Sequence, residues 1–148
     1  MSSSELQSLY QEIILDHSRQ PIGFGLVGNA DGSSHQLNPT CGDEVTLEIA
    51  IDEHGLAHVH WEGHGCAISQ ASASLFSEMV GDGMSLDALD ERIESFRTAM
   101  RSRGKIQPDE ELLGDAAALG GVSRYIARVK CAMLAWVAAE DAIAQARA

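Results

Sequence analysis

Glu44-Val45-Thr46-Leu47-Glu48-Ile49-Ala50-Ile51 and, beyond the turn residues Asp52-Glu53-His54-Gly55, Leu56-Ala57-His58-Val59-His60-Trp61-Glu62 decide the architecture. In the first run Val45, Leu47, Ile49 and Ile51 alternate with Thr46, Glu48, Ala50 and Asp52, the pattern of a strand with one buried face. In the second, Val59 and Trp61 fall on one side and His58 and His60 on the other. Two such strands joined by a short Asp- and Gly-containing turn fold back as an antiparallel hairpin.

Helical patterns surround this hairpin. Ser2 to Ser4 offer N-cap hydroxyls, and Leu6, Leu9, Tyr10, Ile13 and Ile14 recur at helical spacing, so a helix is expected from about Ser4 to Arg19, ended by Pro21. Residues 20–40 hold Gly23, Gly25, Gly28, Gly32, Pro21 and Pro39 and read as a long loop. After Glu62, Gly63-His64-Gly65-Cys66 breaks the strand. Ala67 to Val80 is a helix of small and apolar residues that stops at Gly81 and Gly83. Ser85 to Arg103 is the next, with Leu86, Leu89, Ile93 and Phe96 inward, and Pro108 to Leu113 starts a short one. Beyond Gly120-Gly121 a last helix runs towards Ala146, with Val122, Ile126, Val129, Met133, Trp136 and Val137 as its apolar stripe. The expected class is α+β: a small antiparallel sheet covered by helices, in one domain over residues 1–148.

Chemistry gathers at the ends of these elements. Asn38-Pro39-Thr40-Cys41-Gly42-Asp43-Glu44 leads into the first strand, and the other cysteines, Cys66 and Cys131, also sit at element boundaries or early in a helix. In extended backbone, residues i and i+2 point the same way, so Cys41 and Asp43 suit one ion. Cys66 stands where a helix N-terminus begins, which favours thiolate, and the hairpin folds it back towards Cys41. Three thiolates and one carboxylate make a tetrahedral zinc shell, and soft thiolates also suit iron–sulfur chemistry. Spacing alone equally fits three separate core cysteines, because no Cys-x-x-Cys pair is present and Cys-Gly-Asp is a weak signal. The zinc deaminase pattern is absent. His54, His58, His60 and His64 form a second cluster: His58 and His60 share a strand face that could bind a metal, but a solvated hairpin face is the favoured reading, with His64 the best spare ligand; His17 and His35 carry no spacing pattern.

Ten basic against twenty-two acidic residues give a net charge of −12 over 148 residues. That opposes a general basic surface for nucleic acid or anionic membrane. No stretch is long and apolar enough to span a bilayer, and the N-terminus lacks the features of a secretory signal. An odd count of three cysteines argues against full internal disulfide pairing. A cytoplasmic protein is expected.

The chain resembles the U-type iron–sulfur cluster assembly proteins, the family of IscU and the N-terminal domain of NifU, and most closely the SufU branch. The matching pieces are Leu9-Tyr10-Gln11-Glu12-Ile13-Ile14-Leu15-Asp16-His17, Asn38 to Asp43, Gly65-Cys66-Ala67-Ile68-Ser69-Gln70-Ala71-Ser72-Ala73-Ser74, Gly121-Val122-Ser123-Arg124 and Ala127-Arg128-Val129-Lys130-Cys131-Ala132. Lys130 stands where the IscU group has histidine, and extra residues around Met100 to Leu113 match SufU. The resemblance implies a SufE/NifU-like fold of about three strands, the third from residues 25–37, with the metal at one end. It implies zinc held by Cys41, Asp43, Cys66 and Cys131, with iron or a cluster bound only transiently. It further implies that Cys41 accepts persulfide sulfur from a pyridoxal-phosphate cysteine desulfurase of SufS type, that a histidine of the desulfurase takes the place of Cys41 on zinc, and that a Suf scaffold complex receives the sulfur. The other reading of the same ligands is a scaffold on which a two-iron, two-sulfur cluster is built, and a third is a zinc-stabilised adaptor of the desulfurase. Arg124 and Arg128 are candidates to steady a thiolate or persulfide, or are plain surface residues.

Overall fold

The structure, a computed structural model, describes residues 3–148. Helix α1 (Ser3–Arg19) precedes three strands, β1 (Gly32–Asn38), β2 (Asp43–Ile51) and β3 (Leu56–His64). Then come α2 (Ala67–Val80), a short β4 (Met84–Ser85), α3 (Leu86–Arg101), α4 (Glu110–Leu113), a 3-10 helix (Gly114–Arg124) and α5 (Ile126–Arg147). The N-cap role offered by Ser2 lies outside the described residues.

The hairpin forms as its alternation predicts, with Leu47 opposite Trp61 and Ile49 opposite Val59. Asp52 builds the turn: its Oδ1 accepts from the amides of His54 (2.8 Å) and Leu56 (3.0 Å). The sheet order is β1-β2-β3-β4, each neighbour antiparallel. It has four strands rather than about three. The extra one is a two-residue strand, Met84–Ser85, too short to leave a periodic signal, which covers the edge of β3 at Leu56 and Ala57. The same edge is covered further along by residues 23–25, where Trp61 N donates to Gly23 O and Gly25 N to Trp61 O. An exposed strand edge is thereby kept from pairing with other chains.

β1 occupies residues 32–38, within what composition reads as loop, and it begins later than the 25–37 segment the resemblance implies. Its buried positions are Gly32, Ser34 and Asn38, so it buries small and polar residues instead of an apolar stripe. The reason is the closeness of α5: a Cβ on Gly32 would stand 1.9 Å from the carbonyl oxygen of Ala142. The upstream loop also covers the outer sheet face. Glu48 is buried there, with its Oε1 accepting from Val27 N (2.5 Å) and Gly28 N (3.2 Å).

The helices pack on the inner face, α5 against β1 and β2 and α2 against β3 and α5. Val45, Leu47, Ile49 and Trp61 meet Phe76, Leu89, Ile93, Phe96 and Trp136 in one core. The predicted stripe of α5 needs correction. Val122 belongs to the 3-10 helix, and Ile126 and Val137 are exposed, at 61% and 36%. α5 instead buries Cys131, Ala132, Leu134, Ala135, Trp136, Ala138, Ala139, Ala142 and Ile143. A helix with a sheet on one side and α2 and α3 on others needs small residues around its girth, and alanine supplies them.

Trp136 fills the centre. It stacks on Phe96 (centroids 3.9 Å, 8° between planes) and meets Phe76 edge-on at 4.9 Å. Its indole N–H donates to Ser72 Oγ at 2.9 Å. Trp136→Ala is expected to cost about 3–5 kcal/mol of stability, read as a fall in the denaturation midpoint; a loss under about 1 kcal/mol would show that the cavity collapses around the two phenylalanines.

Candidate metal centre

β1 and β2 are joined by the tip Pro39-Thr40-Cys41-Gly42, closed where Asn38 pairs with Asp43. Cys41 is on this tip and exposed. Gly42 has φ +70°, so the backbone turns between Cys41 and Asp43. The two side chains therefore meet through a turn and not through the extended backbone that their spacing invites. Asp43 begins β2 and is fully buried.

Cys66 is the N-cap of α2, and its side chain makes no capping bond. Its amide donates instead to Asp43 Oδ1 at 2.8 Å, and its Sγ lies 3.6 Å from Asp43 Oδ2. Gly65, at φ +142°, permits this contact: a Cβ there would stand 2.3 Å from Asp43 Oδ1. Cys131, on α5, is buried and brought in by the packing of that helix over β1 and β2. Ligand atoms of Cys41, Asp43 and Cys131 lie within 4.8 Å of one another. The thiol of Cys131 is pushed well up, first by burial and then by hydrogen bonding with Asp43, Cys41 and Cys66. Cys41, Asp43 and Cys131 thus form the tight set, and Cys66, outside it, borders it through Asp43. That donor set fits a thiophilic cation, which compensates the charge such groups carry when ionised.

Asn38 is the residue that the cysteine pattern overlooks. Its Nδ2 approaches Cys131 Sγ at 3.8 Å, a weak donor contact from the end of β1. Its only signal in the sequence is its place in Asn38-Pro39-Thr40-Cys41.

The other candidates stand elsewhere. His64 Nε2 is 2.8 Å from Glu44 Oε2, and His35 Nε2 is 2.6 Å from Glu44 Oε1. These partners, His35 foremost, hold the Glu44 carboxyl below its usual range. His58 pairs with Asp52 at 2.8 Å and His54 with Glu53 at 3.5 Å. Among the described residues, neither cluster of potential ligand atoms includes His54, His58, His60 or His64. Arg124 packs over Gly104, and with Arg128 and Tyr10 it lines a groove of about 760 Å³ between α1, the 3-10 helix and the start of α5.

Comparison with known proteins agrees with this architecture. The NifU-like N-terminal domain family matches residues 9–132. The zinc-dependent sulfurtransferase SufU of Bacillus subtilis is 36% identical over 97% of this chain and 95% of its own length. The iron–sulfur cluster assembly scaffold protein IscU of Streptococcus pyogenes is 35% identical over 97% of this chain and 87% of its own. Among solved structures, a protein of Fervidobacterium islandicum assigned as a cluster assembly scaffold for the SUF system superposes with a TM-score of 0.77 at 34% identity, covering 96% of this chain and 99% of that one. No helix among the described residues is long and apolar enough to cross a membrane. A family match spanning most of the chain, with relatives of this identity along its length, makes this chain a member of the NifU-like N-terminal domain family of iron–sulfur cluster assembly proteins.

Proposed function

We propose that the chain is a zinc-dependent sulfur acceptor that takes persulfide sulfur from a cysteine desulfurase of SufS type and passes it on for iron–sulfur cluster assembly. The observation that carries the reading is one exposed thiol, Cys41, on a hairpin tip, next to a buried Asp43 and a buried Cys131. Cys41, Asp43, Cys66 and Cys131 would hold the ion. Bound zinc keeps thiols ionised at neutral pH and shields them from oxidation.

The reacting thiol must be able to leave its neighbours, and Cys41 is the one placed to do so. Its tip carries Gly42, whereas Cys131 is set in a 22-residue helix and Cys66 is pinned by its amide to Asp43. In the transfer, the Cys41 thiolate attacks the outer sulfur of the donor persulfide. A new sulfur–sulfur bond forms on Cys41, the donor's sulfur–sulfur bond breaks, and the donor cysteine departs as thiolate. The sulfane sulfur changes carrier without net oxidation or reduction, so no outside oxidant is required. Asp43 and Cys66 stay in place through their hydrogen bond, preserving the pocket to which Cys41 returns.

The test is alanine production by the cognate pyridoxal-phosphate desulfurase, with and without the zinc-loaded protein. A saturable acceleration is expected. Absence of acceleration despite zinc loading and demonstrated binding would move the second reading, a scaffold for a [2Fe-2S] cluster, to first place. That reading draws on the scaffold relatives. It predicts a coloured, stoichiometric cluster after anaerobic reconstitution, held by the same four side chains. Lys130, directly before Cys131, favours the sulfur-acceptor reading because an additional imidazole ligand is absent at that position.

A further inference from the structure

A second set of ligating side chains lies where α1, α2 and the 3-10 helix meet. One atom each from His17, Glu78 and Asp115 lies within 4.8 Å of the other two. His17 is 9% exposed, while Glu78 and Asp115 reach solvent. An ion can therefore enter from the carboxylate side and meet an imidazole fixed from behind.

The fixing is specific. His17 Nδ1 is 2.6 Å from Ser74 Oγ, and the same hydroxyl accepts from Ile22 N at 2.7 Å. Ser74 is itself fully buried. So held, the ring presents Nε2 towards Glu78 Oε2 at 3.4 Å, which is long for a direct hydrogen bond. A histidine whose far nitrogen is tied to an outer partner is the arrangement that metal ligation favours. The two carboxylates are also poorly compensated. Among the described residues no Lys or Arg pairs with either. The Glu78 carboxyl is raised above its ordinary range, first by burial and further by Asp115, with His17 acting in the opposite sense.

We propose that His17, Glu78 and Asp115 form a second cation site, for a divalent ion that prefers nitrogen and oxygen ligands, with water completing its shell. One imidazole and two carboxylates suit Mn²⁺, Fe²⁺ or Zn²⁺, and the lack of sulfur separates this set chemically from the cysteine cluster. Such an ion ties α1 to α2 and to the 3-10 helix, so it braces the N-terminal helix against the helices beneath it. The site is independent of the sulfur-transfer reading.

The experiment is a Mn²⁺ titration of the full chain after stoichiometric zinc has been supplied to its thiols. Electron paramagnetic resonance counts bound Mn²⁺, and paramagnetic broadening of histidine ring signals locates it. One saturable ion is expected, with the His17 resonances broadened first. Asp115→Asn and Glu78→Gln, both at exposed positions, should each weaken binding by at least about tenfold, the scale of losing a supporting group at a metal site. The absence of saturable binding would overturn the proposal. So would binding by both variants as tight as that of the parent chain, or His17 signals that stay sharp while other histidines broaden.

Discussion

Cys41→Ala is expected to reduce sulfur acceptance from the desulfurase to background while leaving part of the zinc bound. The loss should be at least about a thousandfold, since removing a covalent nucleophile takes away the step itself and not a modulation of it. Part of the zinc should stay because Asp43, Cys66 and Cys131 depend on other elements for their positions: the start of β2, the cap of α2 and the body of α5. The fold should be unaffected, because Cys41 is exposed on a tip. The assay follows the persulfide adduct by mass spectrometry together with alanine production. A variant that still accepts sulfur at the normal rate would shift the role to Cys66, the half-buried thiol beside Asp43. Cys41→Ser separates chemistry from docking: acceleration that survives in this variant would identify an adaptor that stimulates the desulfurase without receiving sulfur.

The parts of this molecule that sequence reveals are those whose signals are local. The β2–β3 hairpin is legible because alternation and turn chemistry lie within one short segment, and α3 because Ser85 caps it, accepting from Ala88 N at 3.2 Å. β1 is hidden because its inward positions are Gly32, Ser34 and Asn38, chosen for the close approach of α5 and not for hydrophobicity. α5 itself is misleading for a related reason: alanines make its buried surface, so the large apolar residues do not mark its inner side. The candidate metal centre divides in the same way. Cys41 and Asp43 are neighbours in any conformation, and Cys66 follows from the hairpin. Cys131 arrives through packing of a helix from the far end of the chain, which no spacing rule encodes; only the family resemblance supplies it. His17 marks the opposite limit. Beyond closing the Leu9–His17 stretch of the family resemblance it carries no pattern of spacing, and the reading of it as a ligand comes from Ser74, Glu78 and Asp115, three positions on other elements.

Asp43→Ala is expected to weaken zinc binding by about ten- to a hundredfold or more, since its loss is at least as severe as that of a supporting group around a metal. It is also expected to destabilise the metal-free chain by about 1–3 kcal/mol, the cost of leaving a polar group without its partner. The two effects have separate origins. Asp43 is fully buried and does two jobs: Oδ1 accepts from the Cys66 amide at 2.8 Å, fixing the first turn of α2, while Oδ2 faces the Cys66 thiol at 3.6 Å. Asp43→Asn tells them apart. The amide oxygen still receives the Cys66 N–H, so metal-free stability should stay near that of the parent, while the lost negative charge still weakens zinc. Chelator competition reads the affinity and denaturant unfolding without metal reads the stability. Unchanged zinc affinity together with unchanged sulfur transfer in Asp43→Ala would remove the carboxylate from the ligand set. Equal destabilisation of the Ala and Asn variants would show that charge, and not the hydrogen bond to Cys66, holds the start of α2. If the Asn variant instead keeps its fold, binds zinc weakly and still passes sulfur, the carboxylate tunes how firmly the ion is held and the thiol of Cys41 alone carries the chemistry.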